Sequence, residues 1–299
     1  MLNDKNSLKI NKNSKILICV TAILVILYCL SFTKSCSSQD KREKVKTALV
    51  NQKYKESINT ILLQDSTGSL ELTKYDDFWI ISDNINNNSS FTIPASSERI
   101  NNFLDELIKV RNLYKISDKI NKNSSLGLNN GTEFHIRYNY GNDSFRELIF
   151  GNQDFSLSSR YMMTGENTQV YEIDSTMDVY LTTSIQSWTE PYIISRQIVP
   201  TNDIQRTNVS DTQKLLELRH GGLPSLTECE AIINQKPLTT IYLENGDKTS
   251  IKLEIFSSQN ESSYIVKVSY FKPDSRTAFY TSSSKISSWT YNKIKEMTL

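Results

Sequence analysis

The stretch "TEFHIRYNYGNDSFRELIF", Thr132 to Phe150, decides how this chain is read. Apolar and polar residues alternate on either side of Gly141-Asn142-Asp143, and those three residues suit a tight turn. The segment therefore predicts two antiparallel strands joined as a hairpin. The same order returns in "LTTIYLENGDKTSIKLEIF", Leu238 to Phe256, again as strand, polar turn and strand.

Working outward, the period of two persists. "INTILLQD" and "SLELTKYDDFWIIS", separated by Ser66-Thr67-Gly68, read as a hairpin with Trp79 as a core anchor. "SSRYMMTG", "TQVYEID" and "SSYIVKVSY" add further strands. The period changes in "PASSERINNFLDELIKVRNLYKISD", Pro94 to Asp118. There Ile100, Phe103, Leu104, Leu107 and Ile108 follow helical spacing, Arg111 borders them, and Ser96 or Ser97 supplies an N-cap. "STMDVYLTTSIQSW", Ser175 to Trp188, reads as a second helix, and Pro191 to Thr201 as a linker. "DIQRTNV" and "QKLLELRH" resemble the first hairpin, and Trp289 takes the place of Trp188. The expected fold class is α+β: mainly antiparallel sheets with helices packed on one face, in two related units.

At the other end of the chain, Ile16 to Phe32 carries no charge over seventeen residues. As a helix it covers about 25 Å, slightly less than a hydrocarbon core of about 30 Å. Lys15 and Lys34 can snorkel to make up the difference. Ile16, Leu17, Val20, Ile23, Leu24, Val25, Ile26, Leu27, Leu30 and Phe32 form the expected membrane anchor. The exit "SFTK" is a poor cleavage site, which favours a retained anchor over a removed signal. An alternative is lipidation at Cys36 within "FTKSC", although Lys34 sits badly in such a motif. Lysines flank the helix on both sides; the short basic N-terminal tail favours a cytoplasmic N-terminus with the rest exported. The expected organisation is a tail at 1–15, an anchor at 16–33, a juxtamembrane spacer at 34–56, a first α+β unit at 57–195 and a smaller second unit at 196–299. The place is the inner membrane, crossed once, with the C-terminal domain extracytoplasmic.

Composition narrows the function classes. The net charge of +1 argues against nucleic acid as a partner. The basic cluster "KREKVK", Lys41 to Lys46, suits anionic headgroups. Four cysteines, three of them in or beside the anchor, build neither a disulfide framework nor a metal motif. The two histidines, His135 and His220, are isolated in sequence and read as structural. Cys229 in "LTECEAI" reads as a small apolar position. With no nucleophile elbow and no phosphate loop, neither an enzyme nor a cofactor is expected. A cluster of carboxylates with His135 in one cleft would revive a hydrolase reading.

The order of elements resembles the bacterial family known as domain of unknown function 4340. The residues that carry the resemblance are "LELTKYDDFWIIS", "IPASSERINNFLDEL", "SLGL" with Gly127, "LIFGNQDFSLSSRYMM" and "VYEID", within Ile58 to Ser195. The resemblance implies a single N-terminal anchor and an extracytoplasmic α+β domain. It also implies an accessory role beside gliding-motility-type ABC transport systems, with a permease or its ATPase as partner. It brings no catalytic residues. Within "GNQDFSLSSRYMMTG", the residues Phe155, Arg160, Tyr161 and Met162 are of types enriched at interfaces and are the candidate partner contacts. A ligand- or lipid-binding module with a groove between the paired sheets is the alternative reading.

Overall fold

The alternating stretches fold as strands because each presents one apolar face to a shared core. A computed structural model of the chain describes residues 20–26, 28, 42–82, 93–119, 125–140, 145–258 and 262–298. The first sheet contains β1 (Lys44–Thr47), β2 (Ile58–Gln64), β3 (Ser69–Tyr75), β4 (Phe78–Ser82), β5 (Ile93–Pro94), β6 (Arg111–Ser117), β7 (Phe134–Tyr140), β8 (Phe145–Gln153), β9 (Ser159–Thr164) and β10 (Val170–Asp174). Its spatial order is β1-β6-β10-β9-β8-β7-β2-β3-β4-β5, antiparallel throughout. The second sheet is a five-strand meander of β11 (Ile204–Thr207), β12 (Thr239–Asn245), β13 (Ser250–Ser257), β14 (Ser263–Phe271) and β15 (Tyr280–Ser287). The antiparallel order β2-β7-β8-β9-β10 in the first sheet has the same form as β11 to β15 in the second.

Helix α1 (Ser97–Ile108) lies over the first sheet. Ser96 accepts from Arg99 N at its start, and Ile100, Phe103, Leu104 and Leu107 are buried. Facing them are Ile61, Leu63, Leu72, Ile136 and Phe150. Burying each such side chain contributes about 1.5–3 kcal/mol. The helix is shorter than the sequence pattern suggests. Its backbone leaves helical geometry at Lys109, and residues 111–117 form β6 instead, with Leu113 turned into the core. Arg111 is a strand residue, 4% exposed at its side chain, held by Glu106, Asp174 and Thr176.

Further expectations are corrected. The stretch expected as a spacer, 34–56, is in part a strand, since β1 pairs with β6 at the sheet edge. Ser175 to Trp188 is a 3-10 turn (Ser175–Tyr180) followed by the single-turn helix α2 (Ile185–Trp188), because Leu181, with φ -80° and ψ 70°, leaves helical geometry between them. "QKLLELRH" contains helix α3 (Thr212–Leu216), capped by Asp211, whose Leu215 and Leu216 face the second core. Trp188 is fully buried, whereas Trp289, in helix α5 (Ser288–Met297), is 66% exposed, so the two tryptophans do not share a role. Among the described residues no helix is long and apolar enough to cross a membrane. Residues 20–26 are helical, with Val20, Ile23, Leu24, Val25 and Ile26 exposed. Ile16, Leu17, Leu27, Leu30, Phe32 and Cys36 lie outside the described residues.

Pro191 to Thr201 is not a solvated linker. Ile193, Ile194, Ile198 and Val199 are buried, and Ser195 N donates to the Tyr270 hydroxyl at 2.9 Å. This segment sews the sheets together. Glu190 N donates to Pro94 O in β5, Ile193 N to Leu218 O, His220 N to Pro191 O, and Gly221 N to Lys285 O in β15. Strand β4 is buried on both sides in consequence: Trp79 and Ile81 enter the first core, while Phe78 and Ile80 enter the second.

The opposite face of the second sheet carries helix α4 (Leu226–Ala231), which starts in a capping box. Ser225 accepts from Glu228 N, and the Glu228 carboxylate accepts from Ser225 N at 2.8 Å. Lys285 Nζ meets the same carboxylate at 2.7 Å. Chiefly through Lys285, then the Ser225 backbone, the Glu228 pKa is pulled down from 4.5 to about 2. A carboxylate whose pKa is lower in the folded state stabilises that state fully above its unfolded value. The contribution disappears as pH falls from about 4.5 to about 2. Glu228→Gln is expected to cost about 1–2 kcal/mol at pH 7 and almost nothing at pH 2. Urea unfolding of both proteins across that range checks it; a gap independent of pH would refute the assignment. Cys229 on the same helix is buried, and burial raises its thiol pKa to about 11, which suits packing and not nucleophilic attack.

Candidate docking tip

The β8–β9 connection is built so that a short loop cannot collapse. Asp154 Oδ1 accepts from Ser158 N and Ser159 N, both at 3.1 Å, and Oδ2 accepts from Ser156 Oγ at 2.6 Å. These bonds, led by that of Ser156, hold the Asp154 carboxyl below its ordinary pKa. Leu157 adopts a positive φ of 57°, and its N–H donates to Asp154 O. The Asp154 carboxylate thus serves the backbone of the loop, and the apolar side chains turn out. Phe155 is fully exposed and Leu157 is 66% exposed.

A clamp lies beneath the loop. Arg160 Nε pairs with Asp178 Oδ1 at 2.6 Å, and the same guanidinium donates to Gly151 O. Gln153 donates to Asp178, and Ser175 N donates to Ser158 O at 3.2 Å. The 3-10 turn that carries Asp178 also exposes Val179. The four candidate contacts therefore separate. Phe155 is at the surface, Arg160 braces the loop, Tyr161 is half-buried against the small core of Leu128, Ile149 and Val170, and Met162 is fully buried in the first core. Met162 is not available to a partner, because alternation turns it inward from β9. Leu157 and Val179 were not singled out in the sequence. Only the Asp-x-Ser-x-Ser-Ser pattern from Asp154, which forces the intervening side chains outward, could have signalled Leu157.

Behind the clamp, the pairing of β8 with β9 shifts register between Phe150 and Gln153, and Gly151 sits against the loop of residues 125–128. A methyl group at Gly151 would lie 2.2 Å from Leu126 O, and Gly127 has a φ of +65°. Two glycines far apart in sequence are thus required at one contact.

A family model, domain of unknown function DUF4340, matches residues 86–254, more than half of the chain. The chain belongs to the DUF4340 family. No curated protein and no solved structure matches it. The matched segment differs from Ile58 to Ser195: it begins after the β3–β4 hairpin and crosses the seam into β13. Gly127, Gly151 and the whole tip of the DUF4340 chain lie inside it.

Two further features bear on function. An open cleft of about 510 Å³ lies where the two sheets meet, floored by Phe78, Ile198 and Val199, with Phe279 on one wall and Asp76, Asp77 and Lys272 at its rim. On the first sheet, His135 Nδ1 meets Glu147 Oε1 at 2.9 Å, and Arg137 Nε meets the same oxygen at 2.7 Å. Arg137 and His135 together hold Glu147 below its ordinary pKa despite partial burial. Glu133 stands on the other side of the ring, its Oε1 at 3.7 Å from His135 Nε2.

Proposed function

We propose that this DUF4340 chain is a single-pass inner-membrane protein whose exported domain, built of two related units, docks on a protein partner through Phe155 and Leu157. The partner is the permease of an ABC transport or gliding-type envelope assembly, with its ATPase in the same complex, and the chain is an accessory without catalysis of its own. One observation carries the reading: a fully exposed aromatic ring on a loop held by its own hydrogen bonds. Prior ordering lowers the entropic cost of association, and aromatic anchors dominate interface energies. The ABC assignment is supported by the family resemblance, and the anchor by the uncharged run from Ile16 to Phe32.

The test is in-cell photo-crosslinking from position 155 of the full-length protein, with adducts identified by mass spectrometry against an anchor-only control. A permease or ATPase adduct is expected. Phe155→Ala is expected to change stability by less than about 0.5 kcal/mol while reducing co-purification of that partner roughly 10-fold or more. Arg160→Glu would not separate the two effects, since it also breaks the clamp. Undiminished co-purification with a folded Phe155→Ala, Leu157→Ala protein refutes the docking site. The cleft between the sheets then supports the second reading, a binding module for an envelope ligand.

A further inference from the structure

We propose that the cleft between α1 and the β3–β4 hairpin binds a free α-amino acid in its zwitterionic form, independently of the docking tip. The site begins in the pattern of β3. Leu70, Leu72 and Lys74 share one face of the strand, the face that α1 covers. The third of them is a lysine where a further apolar residue would continue the core. Lys74 is directly opposite Trp79 in the β3–β4 pairing, so the two side chains leave the sheet together. From the helix come Asn101, Leu104 and Asp105, which the spacing i, i+3, i+4 places on one side. Between these residues the helix does not seal onto the sheet. An open cleft of about 400 Å³ remains, with Ile58 and Leu104 as its apolar wall. Lys55 and Glu56, from the 3-10 turn Gln52–Ser57, also line it. That volume suits a small molecule.

The polar groups of the cleft fall into two sets. Lys55 Nζ and Asp105 Oδ1 pair at 2.6 Å and cancel. The rest are uncommitted among the described residues: the Trp79 Nε1–H, the Lys74 ammonium, the Asn101 amide and the Glu56 carboxylate have no hydrogen bond or ion pair to the protein. Trp79 is the decisive one. The residue is only 5% exposed, yet its Nε1 is not sealed off and opens on the cleft. A buried indole usually gives its N–H to an acceptor, and here that acceptor has to enter through the cleft.

The chemistry of these groups selects the ligand. An indole N–H and an ammonium can only donate, and Lys74 adds a positive charge, so together they suit a carboxylate. A simple carboxylate would bring a like charge to Glu56. A simple amine would leave Lys74 and the indole N–H without an acceptor. A molecule with both an ammonium and a carboxylate meets all three groups. Its net charge of zero also matches the four charged side chains of the cleft, two of each sign. The amino acid's own side chain is left to Ile58 and Leu104.

The experiment is calorimetry of the full-length protein in detergent with the common amino acids one at a time. For the tightest binder it continues with NMR of the three indole N–H signals. At least one amino acid is expected to bind, at one site per chain. The Trp79 signal, identified by its loss in Trp79→Phe, is expected to shift, while that of Trp188, already given to Thr182 O, stays in place. The N-acetyl derivative lacks the ammonium and the amide derivative lacks the carboxylate; each is expected to bind roughly 10-fold or more weakly. Lys74→Met and Glu56→Gln, both at exposed positions, are expected to weaken the parent amino acid to the same extent, with circular dichroism checking the fold. Absence of saturable heat for every amino acid overturns the proposal. So does equal affinity for either derivative, an unmoved Trp79 signal at saturation, or unchanged binding in Lys74→Met or in Glu56→Gln.

Discussion

Replacing Trp188 by alanine is expected to remove about 3–5 kcal/mol of stability, a large part of what a domain of this size possesses. The indole is fully buried against Phe103, whose ring centre is 5.6 Å away at 80°, and the Arg99 guanidinium lies 4.8 Å above it. Its Nε1 donates to Thr182 O at 2.9 Å. The substitution therefore leaves a void under α1 and a carbonyl without its donor. Trp188→Phe fills most of the void and loses only the hydrogen bond, about 1–2 kcal/mol. Urea midpoints of the three proteins, at unchanged slope, measure both numbers. A loss below about 1.5 kcal/mol for alanine would mean that the core of α1 collapses onto the space.

Phe78→Ala is the second large effect, expected at about 3–4 kcal/mol. Its position makes it informative. Phe78 belongs to a strand of the first sheet, yet it is 2% exposed within the second core, 5.0 Å from the Tyr280 ring in edge-on contact. If the seam joins both sheets into one cooperative body, the variant unfolds in a single transition shifted to lower urea. Two separated transitions, with the first sheet's signals unmoved, would show instead that the sheets unfold independently.

Which parts of this architecture could be read from residues follows from how burial writes itself into sequence. β3, β7, β12 and β13 bury alternate residues over most of their length, and that period of two is visible, whereas β8 and β14 bury consecutive residues because both of their faces are covered. The apolar spacing and Ser96 cap of α1 are equally plain. β1 was missed because it carries no run of apolar residues; an edge strand of four residues is recognised only by what lies beside it. β6 was absorbed into the preceding helix because Leu113 and Ile116 can continue a helical pattern, and only tertiary pairing with β1 and β10 decides against it. The buried segment after Pro191 alternates with no fixed period. Its pairs Ile193-Ile194 and Ile198-Val199 are apolar on consecutive positions, the mark of a chain enclosed on several sides. At the tip, Phe155 was legible by type, but the inward roles of Arg160 and Met162 depend on the register of β9 with β8, which composition does not contain.

The position of β1 has a mechanical consequence. Lys44, where β1 begins, is opposite Tyr114, and Tyr114 in turn is opposite Glu172 in β10. The tip lies beyond the other end of β10, next to the Asp174–Ser159 pair. Tension between a partner held at Phe155 and the chain preceding β1 would run along the strands and not across them. The β1–β6 hydrogen bonds would then bear the load together, in shear, instead of parting one after another. Pulled in that direction the domain behaves as a stiff link, while the same force applied sideways to β1 would peel it away.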